Sequence, residues 1–600
     1  MSKIQSETFY LAGGVDTLSP HIGISPGRLI GCLNVWQEGG IIGYWRAKGY
    51  ERFDGHPDPS SETEPVDQET ARALINEVPG GGDVLGVCRY GGNQYAWRND
   101  TGGATAKMFV SSSSGWSEIT PTETIEFTGG TTAFVAQETL SGGSSGETAT
   151  IERVVLQSGA WDGTAEGYLV ISSASGAFTN PETITSASGS ATSASTNEAI
   201  ILQPNGDYDI IVHNFYGATN LRKIYWCNGV DTAYMFNGTV IVPIRVTGMA
   251  DDKPTHLAAH LSRLWLSYPG GSIQRSAVKD PITFSALLGA GEMATGSDVV
   301  SIDVLTKATL AFLCQNDDSI WMLQGTDETT WDFSQFSDSV GAKANTVQGI
   351  NNLVFMSGDK LTTLQATQKF GDFVDNDLDE GLARFIKDRI PVTAISVLKK
   401  SQYRLFFDDG FVACVTFNKG KPTTSTILQY NFQATCTWST IEDGEEYVYV
   451  GADNGFVYQL DSGNTFDGES ITGFIRLPYY HFKSQRHNKH FLKVIAELDG
   501  PISLTENTTL TLLTEFDYGS SEIPNSREYL YTVVGGGTYW DWLGEWGSFA
   551  YDAPVVDRAS ADLDGIAENM STYIGFESIY DTQFNLQALT VDFVVLGRKR

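Results

Sequence analysis

From residue 224 onward, short apolar runs are broken at regular intervals by Asn, Asp or Gly, so that an apolar stretch, a turn and a second apolar stretch recur. Two such stretches around a turn signal predict a β-hairpin. The windows are 224–236, 263–275, 308–323, 351–364, 402–417 and 446–460, and their starts are about 39, 45, 43, 51 and 44 residues apart. That period matches a four-stranded propeller blade, at ~40–50 residues. Residues 84–97 repeat the pattern around Gly91-Gly92. Helical periodicity is confined to Asp67 ahead of Ala71, Leu74 and Val78, and Asp377 ahead of Leu378, Leu382, Phe385 and Ile386, short helices between blades. After Pro478 the alternation lengthens, over 492–498, 504–513, 529–534, 576–579 and 588–596, which reads as a β-sandwich.

Residues 108–221 interrupt this rhythm. They hold one basic residue, Arg153, in a background of Ser, Thr, Gly and Ala. Within them 133–141 matches 177–185 at an offset of 44, as Ala133-Phe134 and Glu138-Thr139-Leu140-Ser141 against Ala177-Phe178 and Glu182-Thr183-Ile184-Thr185. Residues 151–156 and 168–172 read as strands and Asp162-Gly163 as a turn, so a small β-domain is expected. The expected fold is all-β: a β-propeller with an inserted small β-domain and a C-terminal β-sandwich. Its parts are an N-terminal segment with the first propeller strands (1–104), the insert (105–204), the main propeller (205–478) and the sandwich (479–600).

Charge narrows the functional classes. The chain of 600 residues carries 39 Lys and Arg against 72 Asp and Glu, a net −33, which repels a phosphate backbone and argues against conventional DNA binding. With 41% hydrophobic and 12% aromatic residues it can build cores, so high charge does not mean disorder here. No run of ~18 apolar residues exists and no signal-like segment opens the chain, so a soluble product is expected. Cys32, Cys88, Cys227, Cys314, Cys414 and Cys436 form no Cys-x-x-Cys pair and read as reduced core residues.

Motifs for chemistry are fragmentary. Gly23-Ile24-Ser25-Pro26-Gly27 fits G-x-S-x-G, but Pro26 is unsuited to the helix that must follow a nucleophile, so a turn is expected. Gly80-Gly81-Gly82 is followed by a strand-like run and Gly420-Lys421 by Pro422, so neither is a phosphate loop. His256 and His260 have the spacing of zinc ligands on a helix without the accompanying glutamate. Asp375, Asp377 and Asp379 resemble a calcium loop, except that Glu380 stands at the glycine position and Ile386 at the glutamate position. No catalytic residue, cofactor or metal is expected. Trp540, Trp542, Trp546, Phe549 and Tyr551 form an aromatic cluster suited to a tip or an interface, or to a sandwich core. Arg476, Lys483, Arg486, Lys489 and Lys493, with His481, His487 and His490, form a basic cluster, and Arg598, Lys599 and Arg600 a basic tail.

Several segments carry a resemblance. Leu11-Ala12-Gly13-Gly14-Val15, Pro26-Gly27-Arg28-Leu29, Asn34-Val35, Gly43-Tyr44-Trp45-Arg46 and Gly49-Tyr50-Glu51-Arg52-Phe53 follow in an order that resembles the opening of tail nozzle, or tail tubular, proteins of short-tailed bacteriophages. Arg263-Leu264-Trp265-Leu266-Ser267, Gln402-Tyr403-Arg404-Leu405-Phe406-Phe407 and Gly455-Phe456-Val457-Tyr458 are similar to later parts of such proteins. The resemblance implies a non-enzymatic virion protein of the phage tail, assembled in the host cytoplasm as a homo-oligomeric, six-fold ring. The ring would extend the portal–adaptor channel, help retain the packaged genome and conduct DNA during ejection. Partners would be the portal–adaptor ring and tail fibres or spikes, with transient contact to duplex DNA along an acidic wall and no small-molecule substrate. Arg476, Lys483, Arg486, Lys489, Lys493, Arg598, Lys599 and Arg600 then become candidate contacts with an acidic neighbouring ring, an ordinary solvated face being the other reading. A host-glycan-binding tail protein is the alternative, and a propeller glycosidase ranks below it.

Overall fold

The structure, a computed structural model, describes residues 3–598 except 40, 63, 218–220, 316–318, 367–372, 378–379, 500–506, 521–528, 535–556 and 579–583. The chain divides into two units, one of residues 1–76, 348–452 and 457–600, the other of 77–347 and 453–456. Both are almost entirely β.

The second unit holds four four-stranded antiparallel sheets, each wound from consecutive strands, over 81–119, 209–244, 256–294 and 299–337. Their first strands, Gly81–Tyr90, Asp209–His213, His256–His260 and Val299–Thr306, pack one against the next, a propeller-like arrangement. The first unit holds three more, over 348–377, 391–429 and 434–460, the last completed by Tyr50–Phe53 as its outer strand. The six hairpins read from 224 onward are the second and third strands of six of these seven sheets. Apolar residues on both faces explain why: Ile224, Trp226, Leu264, Trp265 and Tyr403 are fully buried, so these runs read as continuous instead of alternating.

Residues 123–199 form a separate sheet. Strands Glu123–Thr132, Ala165–Ser172, Thr148–Ser158, Thr139–Gly142, Thr183–Thr185 and Ser190–Ser193 pair in a cycle closed by Glu123–Thr132 against Ala165–Ser172, with Glu198–Ala199 added at one side. Its core repeats at the offset seen in the sequence: Ile125 and Leu169, Phe127 and Ile171, Phe134 and Phe178, Leu140 and Ile184. Ser141 pairs with Thr185, its own counterpart, so a local two-fold relates the halves. Each half supplies a glutamate to the other's turn. Glu182 accepts from Ser144 N (2.8 Å), Ser145 N (2.8 Å), Ser145 Oγ (2.8 Å) and Thr179 N (2.7 Å), while Glu138 accepts from Ser186 Oγ (2.6 Å), Ser188 Oγ (2.6 Å) and Ser188 N (3.1 Å).

Two larger sheets lie in the first unit. One runs Val35–Trp36, Tyr44–Arg46, Asn585–Arg598, His487–Asp499, Asp557–Ala567, with Gln5–Tyr10 also on Asn585–Arg598; the other runs Gly31–Leu33, Ile471–Arg476, Met570–Ser578, Asn507–Phe516, Tyr529–Val534. Phe491 of the first stacks on Phe516 of the second at 5.6 Å.

Two expected boundaries move. The strands of residues 5–46 belong with the C-terminal strands, not with a first blade: Gln5–Tyr10, Gly31–Leu33 and Tyr44–Arg46 each pair with a strand more than 400 positions away, and Val35–Trp36 joins the same sheet through Tyr44–Arg46. The insert begins at 123 instead of 105: Met108 and Phe109, buried opposite Trp97 and Ala96, tie strands Ala106–Ser112 and Gly115–Ile119 into the preceding sheet despite their serine-rich sequence. None of the six cysteines is in a disulfide, and five of them are buried.

Candidate functional site

The basic cluster lies around a strained turn. His481 O accepts from Ser484 N at 3.0 Å, and the two central residues, Phe482 and Lys483, both have left-handed backbone (φ 47° and 61°), costly for side chains of this size. Burial of Phe482 holds the turn, its ring 5.0–5.7 Å from Phe9, Tyr480, Phe491 and Phe593. Beneath it Lys489 is fully buried, its ammonium donating to the carbonyls of Ser484 (2.5 Å), His487 (2.9 Å) and Glu568 (2.7 Å). Burial pushes Lys489 down to about 8, with Glu568 and Asp517 opposing. Lys489 therefore braces the loop and is not placed to meet a partner.

The other predicted cations differ in the same way. Arg476 is engaged by Glu515 (2.5 Å) and Tyr479 Oη (3.4 Å). Lys493 is half-buried in the strand between Asp562 and Asp592. Lys483, with its side chain 80% exposed, pairs with Glu7 at 3.0 Å, and Arg486 is exposed. The backbone of Arg598 pairs with His487. The side chain of Arg598, and Lys599, Arg600, Trp540, Trp542, Trp546, Phe549 and Tyr551, lie outside the described residues.

Lys483 and Arg486 border a cleft of about 770 Å³. One wall is residues 479–487 and the other is the 3-10 turn His21–Gly23 with Ile24, Ser25 and Pro26. None of the lining residues is acidic. His21 approaches the ring of Tyr479 at 5.6 Å, His487 Nδ1 lies 2.6 Å from Ser484 Oγ, and His481 Nε2 lies 3.0 Å from Tyr518 Oη while its Nδ1 is buried without a hydrogen-bond partner. Burial, then Lys489, lowers the His481 pKa, so it enters the cleft as a neutral ring at pH 7. The cleft is thus a concave, aromatic and cationic surface that can take an anionic group. The sequence marked one wall through its lysines and arginines; His21 belongs to the same cleft without any signal linking it to residues 450 positions later. Ser25, the G-x-S-x-G serine, is exposed after a 3-10 turn, with no strand-to-helix elbow.

A second constellation was not legible. Asp209, His256 and Asp303, spaced 47 apart, stand on three neighbouring first strands. His256 Nδ1 lies 3.4 Å from Asp209 Oδ2, which also accepts from Leu257 N at 3.1 Å. Asp303 accepts from Ser301 Oγ at 2.5 Å, and burial pushes it up to about 6, Asp209 adding repulsion. His256 and His260 sit on a strand, not a helix, and burial lowers His260 to about 4. Among the described residues no group of three His, Cys, Asp or Glu could hold a metal ion.

No family model and no curated protein matches the chain. Among solved structures, the chain is similar to the computationally designed Ika8 protein (10% identity, TM-score 0.33, covering 64% of this chain and 98% of that one). It is also similar to virginiamycin B lyase from Staphylococcus aureus (10%, 0.34, 64% and 97%) and to YCF48 bound to D1 peptide (8%, 0.34, 64% and 95%). At these scores nothing about activity or partners follows from them.

Proposed function

We propose that this chain is a structural virion protein, a ring-forming tail nozzle subunit of a short-tailed bacteriophage that extends the portal–adaptor channel and conducts DNA during ejection. In this reading the sheet of 123–199 is an inserted domain, the two larger sheets of the first unit are a β-sandwich, and no residue is assigned a catalytic role.

The observation that carries the reading is what the resembling N-terminal residues do. Val15 N donates to Ser425 O (2.8 Å), Asn34 N to Ile427 O (2.9 Å) and Ile30 N to Arg476 O (2.9 Å), so one short segment joins the 391–429 sheet to the larger sheets. Gly27 (φ 91°) leaves its Cβ position 2.0 Å from Tyr10 O, and Gly14 (φ 74°) 2.4 Å from Ser425 N, so neither tolerates a side chain. Arg46 is fully buried on Asn464. Glu51 and Arg72 form a buried pair, with Oε to Nε and Nη distances of 2.8 Å, closing the 434–460 sheet. The motif residues are joints between sheets, a role that suits a structural ring component. Negative-stain microscopy of the purified chain and of the particle tests this: a six-fold ring on the tail axis is expected, and a label off that axis, on fibres or capsid, overturns the reading.

A further inference from the structure

We infer that the cleft between residues 21–26 and 479–487 is a socket for a carboxylate-bearing segment of a second copy of this chain. The inference rests on the ring reading and names the contact that would hold the ring together.

Copies with a net charge of −33 repel each other. Over the ~10 Å reach of electrostatics at 0.1 M salt, association needs a local patch of the opposite sign. In a head-to-tail ring, one patch on each copy meets a different patch on the next, so a cationic patch facing the carboxylates abundant elsewhere on the same chain suffices. The cleft meets this requirement. Acidic residues outnumber basic ones by 72 to 39 along the chain, yet among the lining residues the charged ones are Lys483 and Arg486, with Glu7 and Glu515 set behind the wall on Lys483 and Tyr479. Its shape is prepared before any partner arrives: the left-handed turn at Phe482 and Lys483 and the three carbonyls gathered on the Lys489 ammonium fix the wall that carries Lys483 and Arg486. A preformed wall avoids the ordering cost that two free, flexible cations would otherwise carry into binding. Lys483 already holds one carboxylate, Glu7 at 3.0 Å, and Arg486 is left exposed beside it, able to receive an incoming carboxylate in a charge-assisted hydrogen bond.

The test is sedimentation velocity on the full chain from 20 to 500 mM NaCl, with K483E/R486E and the charge-conserving K483R/R486K. The wild type is expected to sediment as a ring that weakens as salt rises. The reversal variant is expected to associate at least tenfold more weakly with unchanged circular dichroism and melting, the conservative variant to assemble as the wild type does, and a short poly-glutamate peptide to release subunits. A ring retained by the reversal variant overturns the socket and leaves the nozzle reading standing. A wild type that stays monomeric overturns both. Release by inorganic phosphate at charge-matched concentration as effective as poly-glutamate overturns the assignment to a protein carboxylate.

Discussion

Two charged regions of the first unit follow opposite rules. At the joint of the 434–460 sheet, Glu51 and Arg72 are nearly inaccessible, and every charge is met inside the chain: Arg72 by Glu51 at 2.8 Å and by Asp467 at 3.7 Å, and Arg52 by Asp467 through Nε at 2.9 Å. At the cleft, Lys483, held by one surface pair to Glu7, and Arg486 both stand in solvent on a braced loop. Charge drawn inside and answered there holds the fold, whereas charge kept outside on a rigid support is free for something else. The difference can be measured.

The largest effect should come from Arg72→Met. It leaves Glu51 buried without its cation and should lower stability by about 3–5 kcal/mol at pH 7 in denaturant titration. Burial already holds the Glu51 pKa above its ordinary value, and losing Arg72 raises it further, so Glu51 takes a proton as pH falls. The variant should therefore recover part of the loss at pH 5; an equal loss at both values would mean that Glu51 is not the group left unpaired.

The two halves of the insert repeat the contrast. Glu182, 4% exposed with four donors, should cost roughly 2 kcal/mol when replaced by Ala, whereas Glu138→Ala, at the symmetric but more open position, should cost clearly less. Equal melting shifts would break the link between burial and cost.

Asp303 is a half-buried carboxyl incompletely answered, and its sign is opposite. Its pKa in the folded chain is about 6, above the unfolded ~3.9. Below pH 4 both states are protonated and nothing is lost; between 4 and 6 the unfolded chain gives up its proton first, so folding weakens as pH rises. Asp303→Asn should flatten that slope and gain roughly 1–2 kcal/mol at pH 7. A variant less stable than wild type at pH 7 would show that the carboxylate is paired in the folded state.

How much of this was legible depends on the range of the interactions. The hairpins of 224–460 were, because a turn and two apolar runs are local signals; so was the repeat at 138 and 182, whose offset survives in the core pairs Leu140 and Ile184. The N-terminal strands were not, since Val35–Trp36 and Tyr44–Arg46 are too short to show alternation, and the strand they are built onto, Asn585–Arg598, is remote. The cleft was half legible. A run of Lys, Arg and His announces a basic surface, but nothing local tells that Lys489 turns inward, against the usual fate of lysine, while Lys483 turns out.

The smallest effect on stability is the sharpest test of the comparison. Lys483→Ala with Arg486→Ala removes the lysine and the arginine that line the cleft among the described residues, and a surface ion pair such as Lys483–Glu7 contributes little to folding. The melting temperature should stay within about 2 °C of wild type, while Phe482→Ala, which removes the buried ring that holds the same turn, should lower it by several degrees. If instead the double alanine variant melts as early as Phe482→Ala, the rim cations are part of the frame, and the distinction between charge that folds this chain and charge that it offers outward fails at the site where it matters most.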